Sequence, residues 1–242
     1  MSRVERVLVV VPARDEAELI GACLRSVLVA REVAARARPE VEARVVVVVD
    51  ASTDATAALA AEAGAEVVEI ASACVGVARQ AGVEHGLGAG WTRSASGATW
   101  IAMTDADSVV PPSWLVDHLA AADAGADAAI GRVEPQADAD PRMLAAWHAI
   151  HDGRAPGASV HGANLGVDAA LLARVGGIAP MPLHEDVDLV ERLRRIGATV
   201  GALDGPAVRT SARTRSRVEG GFASYLRALQ PADAQPGERL SP

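Results

Sequence analysis

The feature that most restricts the fold is a pair of uninterrupted β-branched runs, "RVLVVVP" (6–12) and "RVVVVVD" (44–50). A strand with one face in water alternates apolar and polar residues, whereas a strand apolar at every position is covered on both faces. Between the runs lies "EAELIGACLRSVLVAREVAARA" (16–37), which has the length and composition of a covering helix. The alternation continues with "DATAALAAEAG" (54–64) as helix, "AEVVEI" (65–70) as strand, "VGVARQAGVEHGL" (75–87) as helix and "TWIAMTD" (99–105) as strand. Strand, helix, strand repeated three times predicts a doubly wound, Rossmann-like α/β/α sandwich around a mostly parallel sheet.

The rhythm loosens after residue 107. "PPSWLVDHLAAADAG" predicts a helix opened by proline, "DAAIGRVEP" a strand, and "DPRMLAAWHAIHDG" a further helix. "GANLGVDAALLARVGG" reads as a turn or short strand into a helix ending at glycine, "HEDVDLVERLRRIG" as another such helix, and "SYLRAL" as a short terminal one. "HGLGAGWTRSASGAT" (85–99) has the composition of a surface connection. We expect one domain over residues 1–230, in two halves (1–108 and 109–230), and a disordered tail over 231–242, which lacks periodicity.

Composition excludes several classes. The 31 acidic against 23 basic residues give a net charge of −8, and no basic block is long enough to track a phosphate backbone, so nucleic acid is not expected as a partner. Cys23 and Cys74 form no CxxC pair and are expected as two buried thiols in a reducing compartment. The apolar run at the start is too short for a signal peptide, and no stretch approaches the ~20 apolar residues of a membrane span. The expectation is a cytoplasmic protein, with peripheral attachment to the inner membrane face left open.

In open α/β sheets ligands bind outside the carboxyl ends of the strands, so the informative residues follow each strand. Pro12-Ala13-Arg14-Asp15-Glu16 follows the first, Asp50-Ala51-Ser52-Thr53-Asp54 the second, and Asp105-Ala106-Asp107 the fourth. Asp105 and Asp107 stand at i and i+2, a spacing that puts strand side chains on one face, where a hard divalent cation would remove their repulsion. The same pair also reads as a capped turn, or, as D-x-D-x-V in "DADSVV", as the nucleophile motif of haloacid-dehalogenase-type phosphatases. That motif belongs after a first strand, and here it follows the fourth. Ser52, Thr53 or Asp54 suits a helix cap, which leaves Asp50 suited to a base edge or ribose hydroxyl. The acids of "HEDVDL" suit a helix N-terminus by themselves. No G-x-G-x-x-G follows the first strand, which disfavours a dehydrogenase.

Taken together, "VVVPARDEAELIGACLRSV", "VVDASTDAT", "VARQAG", "MTDADS", "GANLGVDAALLARVGG" and "HEDVDLVERLRRIG" resemble, in order, the motifs of the family 2 glycosyltransferases. The likeness extends over roughly residues 6–228. Ala51 stands where the family usually has glycine and Gln80 where it has asparagine, and the Q-x-x-R-W motif of processive members is absent.

The resemblance implies the GT-A fold, with residues 1–108 as the nucleotide-sugar-binding half and 109–230 as the acceptor-binding half, and transfer of a sugar from a nucleoside-diphosphate sugar, UDP-linked on family frequency, to an acceptor hydroxyl with inversion. It implies that Pro12, Arg14 and Glu16 shape the base pocket, that Asp50 binds base or ribose, and that Arg79 approaches the nucleotide. Asp105 and Asp107 would hold ribose and a divalent metal, Mg²⁺ or Mn²⁺, with Asp107 favoured for the metal. Asp186 would be the general base with Glu185 positioning it or the acceptor, a small molecule or lipid-linked hydroxyl. His161 and Asn164 are candidates for the acceptor side. The one dense basic stretch reads either as a solvated loop or as a closing loop whose Arg213, Arg215 or Arg217 contacts the diphosphate or an anionic acceptor. His184, His148 and His151 read as surface or structural histidines. A binding protein without turnover is the non-enzymatic alternative.

Overall fold

Both faces of the central strands are apolar, and both are covered. In the computed structural model, which describes residues 3–88, 98–136, 139–151, 153, 157 and 159–213, the first half runs β1 (Val4–Ala13), α1 (Ile20–Ala37), β2 (Glu42–Asp50), α2 (Thr56–Glu62), β3 (Glu66–Ile70), α3 (Val75–Gly88) and β4 (Ala98–Met103). The second half runs β5 (Ser108–Val109), α4 (Trp114–Asp123), β6 (Ala128–Ile130), β7 (Val133–Pro135), α5 (Pro141–His151), β8 (Leu165–Asp168), α6 (Ala169–Arg174), α7 (Glu185–Arg195), β9 (Val200–Ala202) and β10 (Val208–Thr210). A seven-stranded sheet has the order β3-β2-β1-β4-β8-β6-β9, and a small sheet the order β5-β10-β7. β1 pairs in parallel with β2 and β4, and β2 with β3; β8 runs antiparallel to both β4 and β6.

The two-residue period of the strands divides the core. Val7, Val9 and Val11 of β1 and Val45, Val47 and Val49 of β2 face α1, α2 and α4; Leu8, Val10, Val46 and Val48 face α3, α6 and α7. α3 lies unusually close to the sheet. A Cβ on Gly82 would stand 2.6 Å from Val10 Cγ1, and one on Gly86 2.4 Å from Leu8 Cδ1, so a side chain at either position would force a core neighbour to shift.

The chain divides into two compact units; of the described residues, those up to 134 and from 157 to 210 fall in one, and those from 135 to 153 with 211–213 in the other. In the smaller unit Met143 and Trp147 of α5 are buried with Ala139, and Leu144 and Ala212 pack against them. Trp147 also stacks on His151, ring centroids 3.7 Å apart.

Three expectations are corrected. "DAAIGRVEP" is two strands, β6 and β7, in different sheets, because Gly131 lets the Asn164 amide approach; a Cβ there would lie 2.0 Å from Asn164 Nδ2. The start of the 85–99 segment is helical, since α3 continues to Gly88; residues 89–97 lie outside the described ones. Cys23 is buried, but Cys74 is only half-buried, in the turn before α3. "SYLRAL" and the tail lie outside the described residues. Among the described residues no helix is long and apolar enough to cross a membrane.

Scarce aromatics are used as donors inside the core. Trp100 Nε1 donates to His118 Nδ1 at 3.2 Å, and Trp114 Nε1 to Asn164 Oδ1 at 2.9 Å. His118 is fully buried, its Nε2 has no partner, and burial lowers its pKa to about 3. A histidine whose folded pKa lies below its ordinary value contributes stability above pH ~6.5 that is lost as pH falls toward 3. Between pH 6 and 4 the wild type should therefore lose about 1.4 kcal/mol per pH unit more than His118→Gln, a difference read by urea unfolding at several pH values.

Candidate active site

The register of the sheet decides which residues meet. β1 and β2 pair out to Ala13↔Val49, and β1 and β4 out to Val10↔Met103, so Arg14, Asp50 and Asp105 leave the same edge of the sheet. β8 begins opposite the end of β4, at Met103↔Leu165, which brings the 3₁₀ turn Gly162–Asn164 to that edge too.

Two turns at this edge are clasped together. Asp15 N donates to Ser52 Oγ at 2.9 Å, Glu16 N to Thr56 Oγ1 at 2.8 Å and Ala17 N to Asp54 Oδ2 at 3.0 Å; in return Thr53 N donates to Asp15 Oδ1 at 2.7 Å. Asp15 (φ 48°) and Ala51 (φ 53°) are both left-handed. A Cβ in that region costs roughly 1–2 kcal/mol, which is the physical reason a glycine suits position 51 and alanine is a strained substitute. Glu16 is buried at the entry to α1, and Pro12 and Arg14 are half-buried. Arg14 has no ion-pair or hydrogen-bond partner among the described residues.

Asp50 is 4% exposed, and its carboxylate accepts from Ser72 N (2.7 Å), Ala73 N (2.8 Å), Cys74 N (2.8 Å) and Ser72 Oγ (3.0 Å). Four donors match the roughly four lone-pair sites of a carboxylate. Asp50 thus builds the turn that opens α3, which explains its place at the strand end without reference to a ligand. The short "ASAC" run carries no periodic signal that would have disclosed this partnership from sequence.

The two aspartates after β4 have different surroundings. Asp105 Oδ1 accepts from Arg79 Nη2 at 2.5 Å, whereas Asp107 Oδ1 accepts from Thr210 Oγ1 of β10 at 3.2 Å. Beneath them Cys23 Sγ donates to Asp105 O at 3.3 Å; burial, reinforced by Asp107 and Asp105, raises its pKa and keeps it a neutral thiol.

Arg79 also donates through Nε to Glu185 Oε1 (3.1 Å) and through Nη1 to Gly162 O (3.0 Å). Burial opposes its charge, but Asp105, Glu185 and Asp186 outweigh it and raise the pKa of Arg79. Glu185, 5% exposed, is raised by burial, only partly offset by Arg79. Asp186 is half-buried at the start of α7 and accepts from Gly162 N at 2.6 Å and Val187 N at 2.8 Å.

The remaining candidates divide. His161 is half-buried and precedes the Gly162 turn. Asn164 is corrected to a structural amide: it is 2% exposed, with Oδ1 taken by Trp114 and Nδ2 donating to Arg132 O at 2.9 Å. Arg213 lies in the smaller unit, its N–H on Ser211 Oγ, while Arg215 and Arg217 lie outside the described residues. Sequence reasoning missed Thr210 and the part played by Gly162, both of which enter through chain reversal rather than local pattern.

The donor set suits a hard cation. Asp105 and Asp107 are half-exposed carboxylates, and among the described residues no three or more His, Cys, Asp or Glu are grouped to cage an ion. Mg²⁺ and Mn²⁺ sites of this sort use one or two carboxylates and take substrate oxygens for the rest.

A family model, "Glycosyl transferase family 2", matches residues 8–159. No curated protein matches the chain. Among solved structures, TarS of S. aureus gives a TM-score of 0.59 at 16% identity, covering 85% of this chain; the chain spans 36% of that one's length. Glucosyl-3-phosphoglycerate synthase from Mycobacterium tuberculosis, in complex with Mn²⁺, uridine diphosphate and phosphoglyceric acid, gives 0.58 at 17% identity, covering 93% of this chain and 77% of that one. The same enzyme with Mn²⁺, UDP-glucose and phosphoglyceric acid gives 0.56 at 19% identity, covering 93% and 78%. At such identities the structures speak to the fold, and the family model, matching more than half of the 242 residues, speaks to descent. The chain belongs to glycosyl transferase family 2 and is a glycosyltransferase of GT-A fold.

Proposed function

We propose that the protein transfers a sugar from a nucleoside-diphosphate sugar, a UDP-sugar, to the hydroxyl of a small or lipid-linked acceptor with inversion. The observation that carries this reading is the pairing of Asp105 and Glu185 on one arginine, with Asp186 beside them. Carboxylates of the D-x-D and E-D motifs, far apart in sequence, thereby share one site. The Mn²⁺ and UDP of the mycobacterial complexes support the choice of donor and ion.

The residues divide the work by exposure and partnership. Asp186, half-buried and holding backbone N–H groups, is the general base that takes the proton from the attacking acceptor hydroxyl. Glu185 is enclosed against Arg79 and serves to position the base. Because Glu185 is engaged, one carboxylate acts directly, in keeping with a single inverting displacement. Arg14 is the half-buried cation set to meet the nucleotide, with Pro12 and Glu16 shaping the pocket around the base. Asp50 acts on that pocket by fixing the turn at 72–74. A divalent cation on Asp107 would offset the negative charge that grows on the departing diphosphate.

A panel of UDP, GDP and dTDP, each with and without Mn²⁺ or Mg²⁺, tests the reading by thermal shift. UDP with Mn²⁺ should raise the melting temperature most, since ligand at about 100 Kd adds about 2.7 kcal/mol to stability. No shift with any nucleotide would overturn the proposal. Asp186→Asn keeps an acceptor oxygen for Gly162 N–H, so UDP–Mn²⁺ affinity should stay within about threefold while transfer falls by about 10² or more. Asp107→Asn should weaken Mn²⁺-dependent UDP binding by about tenfold or more and leave metal-free UDP binding near wild type, as measured by calorimetry.

A further inference from the structure

An arginine that serves a nucleotide is presented to it, yet Arg79 is 3% exposed and each of its three guanidinium nitrogens bonds a protein acceptor. The acceptors come from three separate segments. Asp105 follows β4, Gly162 opens the turn into β8, and Glu185 begins α7. Gly162 is held twice, its carbonyl by Arg79 and its N–H by Asp186 Oδ2 at 2.6 Å. A Cβ on Gly162 would stand 2.4 Å from Arg79 Nη2, so the guanidinium lies flush against bare backbone. α3, which carries Arg79, is itself drawn against the sheet by Gly82 and Gly86.

We propose that Arg79 is a positioning residue that makes no contact with the nucleotide. It fixes Asp105 and the Gly162 turn relative to Asp186, so that the donor and acceptor sides of the site stay in register. The inference rests on the reading of the site as one for nucleotide-sugar transfer. The planar fork explains the choice of residue: it reaches three acceptors in fixed directions, whereas the lysine ammonium is a point charge on a flexible stem.

The test compares the wild type with Arg79→Lys by calorimetry of UDP with Mn²⁺, by hydrogen exchange, and by UDP release from a UDP-sugar that supports turnover. Failure of the wild type to bind UDP with Mn²⁺ would overturn the donor reading and the proposal with it. If the wild type binds, Arg79→Lys judges the proposal alone. UDP affinity and donor KM should stay within about threefold, kcat should fall by about 30-fold or more, and amides at 160–165 should exchange about tenfold faster while those of β1 do not. A fall of about tenfold or more in UDP affinity with exchange at 160–165 unchanged would instead make Arg79 a nucleotide ligand. A lower melting temperature with uniformly faster exchange and unchanged kcat would reduce it to packing. Should Arg79→Lys fail to fold, Glu185→Gln keeps the shape and an acceptor oxygen; UDP affinity within about threefold with amides at 160–165 exchanging about tenfold faster supports the proposal, and unchanged exchange there overturns it.

Discussion

A sheet buried on both faces has nowhere to put a charge except along its edges, and the rest of this structure follows from that constraint. β1 and β2 give alternate residues to two separate cores, so neither strand has a polar face to offer. Polar chemistry is driven to the ends of the strands, and the parallel pairing of β1, β2 and β4 gathers those ends at one edge. β8, running antiparallel, adds its start to the ends of the others and so brings Gly162 within reach of residues placed far earlier in the chain. The site is therefore a consequence of strand direction before it is a matter of particular side chains.

Within that site the buried arginine is the most demanding element. Arg79 and Glu185 are both out of water, and desolvating two charges is repaid only when geometry and further hydrogen bonds are favourable. Here the arginine finds a second carboxylate and a carbonyl as well. Removal of one partner from such a pair costs about 3–5 kcal/mol, because the other is left buried and unmatched. An arrangement of this kind is of little use as a source of stability, since an apolar pair could fill the space. Its value lies in fixing directions.

Much of the fold was legible because the core is built from β-branched runs whose length and continuity announce buried strands. The order of strands and helices through Met103 could be read from "VLVVV", "VVVVV" and the Ala-rich segments between them. Where the chain was misread, a close approach was responsible. Gly131 divides one apolar run between two sheets because Asn164 presses on it, and nothing local to "AAIGRV" reports a neighbour from residue 164. The same holds for the site. Asp105, Asp107, Glu185 and Asp186 stood out by motif, but the full occupation of Asp50 by residues 72–74 and the enclosure of Arg79 depend on which loops the topology brings together. Sequence identifies residues able to bind; only the fold shows which of them are already engaged by the protein.

The clasp between the turns after β1 and β2 bears on how a ligand would be met. Hydroxyls and carboxylates of Ser52, Asp54, Thr56 and Asp15 accept from backbone N–H groups across the gap, holding Asp15 and Ala51 in left-handed conformations. Loops that must be ordered by a ligand reduce its affinity by the entropy they surrender. These turns have surrendered it during folding, so a ligand that docked on this side would meet ordered backbone, and the conformational strain at Ala51 would weigh on the stability of the protein and leave that ligand's affinity intact.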